Sequence, residues 1–199
     1  MRTRNSDKEK LVEQKTIEML VEEGFQGFSM NRLAKACDIS VATLYIYYKD
    51  KDDMIKKIGA SVGKTFMSET LKGFSPEMSF ADGLRKQWEN RARYAIKYPK
   101  EVACYEIIRH SQHGEYILNE SLKEFKQTMM DFVQNAVKTK TLIPLAVETY
   151  WSVAFGPLYT LIQFHKEGKA MGGKPFKLSK KTMEEPLKLV IKALTPSKN

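Results

Sequence analysis

The chain has too few cysteines for a disulfide framework: Cys37 and Cys104 are the only two in 199 residues. They lack metal-ligand spacing, and their scarcity suits a reducing, cytoplasmic setting in which each is a small buried apolar group. Histidine is nearly as scarce. His110-x-x-His113, with Glu106 or Glu115 nearby, would hold a metal only if one helix ran through it, and Gly114 with the Ser-Gln-His-Gly composition reads as a helix end. No metal and no other cofactor is expected. Nor is there a glycine-rich phosphate loop, a nucleophile elbow or a paired-carboxylate signature, so no motif marks an enzyme. No stretch after residue 73 alternates apolar and polar residues as a half-buried strand does, and no internal repeat is found. Met1 to Lys10 is charged and polar throughout, so no secretory signal opens the chain.

What is present is size, charge and helical periodicity. A chain of 199 residues that is 42% hydrophobic and 29% charged is a soluble globular protein with an ample core. The net charge of +9 suits a nucleic-acid partner. However, residues 1–60 hold 11 Lys or Arg against 10 Asp or Glu, whereas residues 61–199 hold 22 against 14. The basic excess lies outside the first third, so the placement of individual residues must carry any nucleic-acid argument.

The chain is organised around Ser29 to Met54. Ser29 caps a short helix with Met30, Leu33, Ala34 and Cys37 at helical spacing. After the turn Cys37-Asp38-Ile39, Ser40 caps a second, Val41 to Tyr48, which carries Leu44 inward. Asp50 caps a third and longer helix whose first turn is acidic, as the helix dipole favours. Two short helices joined by a tight turn, the second rich in hydrogen-bonding tips, is the plan of a helix-turn-helix DNA reader. The run Ile39-Ser40-Val41-Ala42-Thr43-Leu44-Tyr45-Ile46-Tyr47-Tyr48, with Lys51 and Met54, resembles the recognition signature of TetR-type transcriptional regulators. Gly24-Phe25 and Phe28-Ser29-Met30 stand at that family's usual offset. Motif-level similarity covers about the first quarter of the chain. There are departures: Lys15 and Thr16 stand where the family favours alanines, Ala42 replaces a frequent glycine, and Asp38 replaces the glycine of the turn.

The resemblance implies an all-α fold with an N-terminal three-helix DNA-binding domain over residues 1–50. A connecting helix over 51–72 and a helical bundle over 73–199, which binds ligand and dimerises, complete it. The DNA-facing set it implies is Ser29, Ser40, Val41, Thr43, Tyr45, Tyr47 and Lys51. Thr43, Tyr47 and Lys51 would meet phosphates, and Val41 and Tyr45 would face bases. It further implies a homodimer on a near-palindromic operator, repression as the default outcome, and release by a small, largely apolar or aromatic molecule. Trp88, Tyr105, Phe125, Met129, Trp151 and Phe155 are the candidate ligand wall.

The rest of the chain reads as helices. Ser6-Asp7-Lys8-Glu9 opens the first, which carries Val12, Thr16, Met19 and Leu20 inward and stops at Gly24. Arg2 and Arg4 precede it. Met54, Ile58, Val62 and Phe66 give the helix Lys51–Lys72 one apolar face, interrupted by Gly59 and Gly63, which either admit close packing or soften the helix. Ser75-Pro76 predicts the start of a helix to about Tyr98, and Pro99 starts another. Leu118, Leu122, Phe125, Met129, Phe132 and Ala136 predict one continuous helix over about 115–138. Leu142 to Phe164 has Glu148 as its only charge and apolar residues on all sides. Burial by a partner subunit explains it, together with a last helix from Thr182 to Leu194. A mobile loop, Gly168 to Lys181, would lie between them. The same apolar segment leaves a membrane-associated protein as an alternative, and an all-helical enzyme is the third reading.

Overall fold

The computed structural model describes the backbone of residues 2–197 and the side chains of residues 7–197. Among these residues every extended regular element is helical, the one isolated β-bridge joining Lys169 and Pro175. In chain order the helices are α1 (Arg2–Gly27), α2 (Met30–Ala36), α3 (Val41–Tyr47), α4 (Lys51–Leu71) and α5 (Phe80–Lys97). Then follow α6 (Pro99–Arg109), α7 (Gly114–Ser121), α8 (Lys123–Lys138), α9 (Val147–Glu167) and α10 (Lys180–Leu194). No described helix is long and apolar enough to cross a membrane. The chain divides into two compact units, residues 1–67 with 98–123 and residues 68–97 with 124–199. The polypeptide passes between them three times, at Met67–Ser68, Lys97–Tyr98 and Lys123–Glu124.

In the first unit the inward stripe of α1 is buried as its periodicity predicts, with Thr16 and Leu20 fully enclosed. Thr16 is tolerated there because its hydroxyl donates to the Val12 carbonyl at 2.8 Å, so no buried polar atom is orphaned. The helix begins at Arg2 rather than at a Ser6 cap, and the side chains of Arg2, Arg4 and Ser6 lie outside the described set. Gly24, at φ 65°, breaks α1 at the predicted residue.

Gly59 and Gly63 on α4 serve close packing. A Cβ at Gly59 would stand 2.4 Å from the Ile117 Cδ1 of α7, and one at Gly63 would stand 2.8 Å from the Ser121 Cβ and Tyr105 Cε2. The continuous helix expected over 115–138 is instead α7 and α8, broken at Leu122. The buried seam steps back by one residue at that break: Ile117 and Ser121 are buried in place of Leu118 and Leu122, while Phe125, Met129, Phe132 and Ala136 are buried as expected.

In the second unit α5 starts at Phe80, four residues later than Pro76. Ser79 is the reason: its oxygen accepts from the Asp82 amide at 3.2 Å while its hydroxyl donates to the Asp82 carboxylate at 2.7 Å. Phe80, Leu84, Trp88 and Ala95 face inward. Trp88 donates its indole N–H to the Ala154 carbonyl at 2.8 Å, and the amides of Gln87 and Asn90 donate to the Thr70 carbonyl near the end of α4, Asn90 also to the Lys72 carbonyl just beyond it.

Helix α9 starts at Val147, so Leu142 precedes it. Tyr150, Ala154, Phe155, Leu158 and Ile162 fill the core, whereas Thr149, Ser152, Thr160 and Gln163 on the other side are exposed and Val153 and Gly156 partly so. Helix α10 starts at Lys180 rather than Thr182, since Ser179 and Thr182 form a reciprocal capping box. Gly168 to Lys181 is largely exposed but folded on itself. Phe176 donates to the Gly168 carbonyl at 3.0 Å, Phe164 and Phe176 meet edge to face, and Leu178 is buried.

Candidate nucleic-acid interface

The turn between α2 and α3 is built by backbone hydrogen bonds. Ile39 donates to the Ala34 carbonyl at 3.0 Å and Asp38 to the Lys35 carbonyl at 3.2 Å, with Asp38 left-handed at φ 51°. This is the two-bond stop that glycine usually makes, and Asp accepts it because its short polar side chain tolerates that region. Both caps form: the Ser29 oxygen accepts from the Arg32 amide at 3.3 Å and the Ser40 oxygen from the Thr43 amide at 3.2 Å.

Leu44 is the one fully buried side chain of α3, and it sets the helix's rotation. With Leu44 inward, Tyr45 at 53% and Ile46 at 76% exposure project into solvent. Val41, Thr43 and Tyr47 are partly covered. The helix carries no charge, so phosphate attraction has to come from its surroundings.

Several cations nearby are already engaged. Lys51 donates from Nζ to the carbonyls of Phe25 at 2.8 Å and Phe28 at 2.9 Å, above the Phe28 ring. It thereby closes the α1–α2 link, and one of its three N–H donors remains. Lys57 reaches the Tyr47 carbonyl at 3.1 Å and the Asp53 carboxylate at 2.9 Å, neutralising the end of α3. Arg32 is forked onto Glu23. Lys35 and Lys49 are exposed and have no ion-pair partner among the described residues. Ile46, Lys35 and Lys49 were absent from the sequence-derived set. The signal for Lys49 was its place directly after the reader helix, and for Ile46 its place on the side away from Leu44.

Of the candidate ligand wall, Phe125, Trp151 and Phe155 come together in the second unit, with Trp151 6.2 Å from Phe125 and 4.6 Å from Phe155 between ring centroids. Trp88 and Met129 are buried in the same unit. Tyr105 belongs to the first unit, against Phe66 at 5.8 Å. His113 is buried 3.4 Å from an Asp52 oxygen and edge-on to Phe25, while His110 bonds back to the Glu106 carbonyl. No group of three metal-ligating side chains occurs among the described residues.

Residues 14–58 match the family described as bacterial regulatory proteins, tetR family. An uncharacterised helix-turn-helix-type transcriptional regulator of Haemophilus influenzae is 29% identical over 90 residues, 45% of this chain and 48% of the relative. Another, from Bacillus subtilis, is 26% identical over 132 residues, 57% of this chain and 45% of the relative. The matched parts thus span about half the length of these two relatives. Among solved structures, a TetR family transcription regulator from Marinobacter aquaeolei superposes with a TM-score of 0.84 at 24% identity, covering 99% of this chain and all of that one. Taken with the capped, Leu44-anchored pair of short helices, these matches show that residues 14–58 carry the N-terminal region typical of the tetR family of bacterial regulatory proteins, and that the chain shares the fold of the Marinobacter regulator.

Proposed function

We propose that the protein is a cytoplasmic transcriptional regulator, a repressor by default. It binds a near-palindromic duplex operator as a homodimer and is released by a small, largely apolar molecule. The observation that carries the DNA-binding part is the exposure of Tyr45 and Ile46 on a helix whose rotation Leu44 fixes. An aromatic and an aliphatic side chain left in water beside Ser40 and Thr43 suit thymine methyls and base edges in a major groove. Val41 offers the same apolar contact, and Thr43, Tyr47, Lys49 and the remaining Lys51 donor suit phosphates.

The homodimer reading draws on the outer faces of α9 and α10. Thr149, Ser152, Val153, Gly156, Thr160 and Gln163 form an uncharged side of α9, and Leu189 is 63% exposed on α10. A Cβ at Gly156 would meet nothing within 4 Å, so a second helix has room to approach there. A ligand in the second unit can act on DNA affinity only through its difference in affinity for two arrangements of the protein, typically about 1–3 kcal/mol.

Selection of bound sequences from random duplex DNA tests the reading. The expected product is a paired half-site with centres about 34–36 Å apart or a multiple of that. Tyr45→Ala should relax the preference at particular bases. Lys49→Ala should weaken all duplexes alike and reduce the salt slope by about 1. Failure to enrich any sequence would overturn the operator reading.

A further inference from the structure

The second unit buries a positive charge that no acid among the described residues balances. Arg91 on α5 is 1% exposed. Its Nη1 donates to the Tyr159 hydroxyl at 3.0 Å and its Nη2 to the Gln87 amide oxygen at 3.2 Å. Among the described residues no carboxylate pairs with it, and its Nε–H is buried with no acceptor. A guanidinium has five donors, and here three of them are unused. Three rings enclose it instead: its Cζ lies 4.5 Å from the Phe155 centroid, 5.3 Å from Trp151 and 5.4 Å from Phe125.

A second orphan lies in the same unit. The Tyr150 hydroxyl is buried without a hydrogen-bond partner among the described residues, on a residue 3% exposed. Burial raises its pKa, and the Arg91 charge acts in the opposite direction, so the two groups sense each other. Tyr150 meets Phe155 edge to face at 6.3 Å. Aromatic faces attract a cation but accept none of its in-plane N–H bonds, so the rings leave the fork unfilled. Buried polar groups in folded proteins are nearly always satisfied, and two orphans that share the Phe155 ring as a neighbour mark a place for a group that accepts from both. Trp151 and Tyr159, 38% and 37% exposed, connect the cage to the surface.

We propose that the second unit binds an organic carboxylate, its anionic head on the Arg91 guanidinium and Tyr150 hydroxyl and its apolar body against Phe125, Trp151 and Phe155. A carboxylate has the planar, two-oxygen geometry that accepts the guanidinium fork while a third lone pair takes the Tyr150 proton. The Tyr159 hydroxyl, which accepts from Nη1 in this structure, occupies one of the acceptor positions that head would take. The inference deepens the ligand part of the proposed function and rests on it for its biological role. It narrows the expected chemistry from a largely apolar molecule to an acid with an apolar body.

Calorimetric titration of the full chain with 4-phenylbutyrate and decanoate, each against its primary amide, tests the site. The acids should bind at least about tenfold more tightly than the amides, as a charge-assisted fork requires. Arg91→Met should abolish that preference while keeping the affinity for the amide, and Tyr150→Phe should weaken only the acid. If Arg91→Met does not fold, Arg91→Lys, which keeps the charge without the fork, should still lose most of the preference. Equal binding of acid and amide, or no binding of either, would overturn the proposal, as would an Arg91→Lys variant that discriminates like the parent. DNA affinity measured in the same samples separates the two readings. Acid binding that leaves DNA affinity unchanged supports this site and removes the ligand-response reading. Release by amide and acid at equal concentrations does the reverse.

Discussion

Cys104 and Lys51 show how far a side chain's role departs from its type. Burial pushes the Cys104 thiol from its ordinary value near 9.0 up to about 12, with the Glu101 charge adding to the rise. A thiol in that condition is inert at neutral pH. The native protein should therefore leave Cys104 unlabelled by a thiol reagent at pH 8, and denaturant should expose it; rapid native labelling at Cys104 would contradict its burial. The sign for stability follows from the same shift. Below pH 9.0 both states keep the proton and the contribution is whole, and it is lost as pH rises toward about 12, because the unfolded thiol ionises first. Lys51 illustrates the reverse case, a charge turned inward. Its two bonds to the Phe25 and Phe28 carbonyls mean that removing it loosens the α1–α2 link as well as any phosphate contact. For that reason Lys49 is the cleaner probe of DNA electrostatics.

At the scale of elements, the glycines of α4 decide how close α6 and α7 can come. Gly63→Ala places a methyl 2.8 Å from the Ser121 Cβ, an atom close to backbone with little freedom to move. Overpacking of about 1–3 kcal/mol should outweigh the roughly 1 kcal/mol that alanine adds to a helix interior. Gly59→Ala meets the mobile tip of Ile117 and should cost less. Urea midpoints check the order, and a Gly63→Ala variant more stable than its parent would show that the close approach is dispensable. Helix α9 divides the same way, by what each face touches. Its length and apolar character are plain in sequence, but only packing separates Leu158, fully buried, from Gly156 and Thr160 on the outer side.

For the molecule as a whole, that division makes the dimer testable apart from the fold. Leu158→Asp would bury an unpaired charge in the core of the single chain and should cost several kcal/mol of stability. Leu189→Glu, at a site 63% exposed, should leave the fold intact and shift the species in sedimentation from dimer to monomer. A parent that sediments as a monomer at micromolar concentration would sink the dimer reading, and with it the near-palindrome.

The helix-turn-helix was legible in sequence because its determinants are local. Ser29 and Ser40 act three residues along the chain, Asp38 turns its own backbone, and Leu44 belongs to a short apolar pattern. Near-neighbour hydrogen bonds and helical periodicity do not depend on where the rest of the chain goes. The α5 start was legible too, in Ser79 and Asp82, but Pro76 offered a competing signal. Arg91 stands three residues after Trp88, on the inward stripe of α5, a spacing that could have marked it as buried. Nothing in sequence, however, places Tyr150, Trp151, Phe155 and Tyr159 around it, or withholds an acid from it. Likewise the commitment of Lys51, the step in the seam at Leu122 and the purpose of Gly63 depend on segments distant in sequence. Tertiary structure decided these features because a buried charge, a close helix approach and an unfilled donor are defined by neighbours in space, and only folding chooses them.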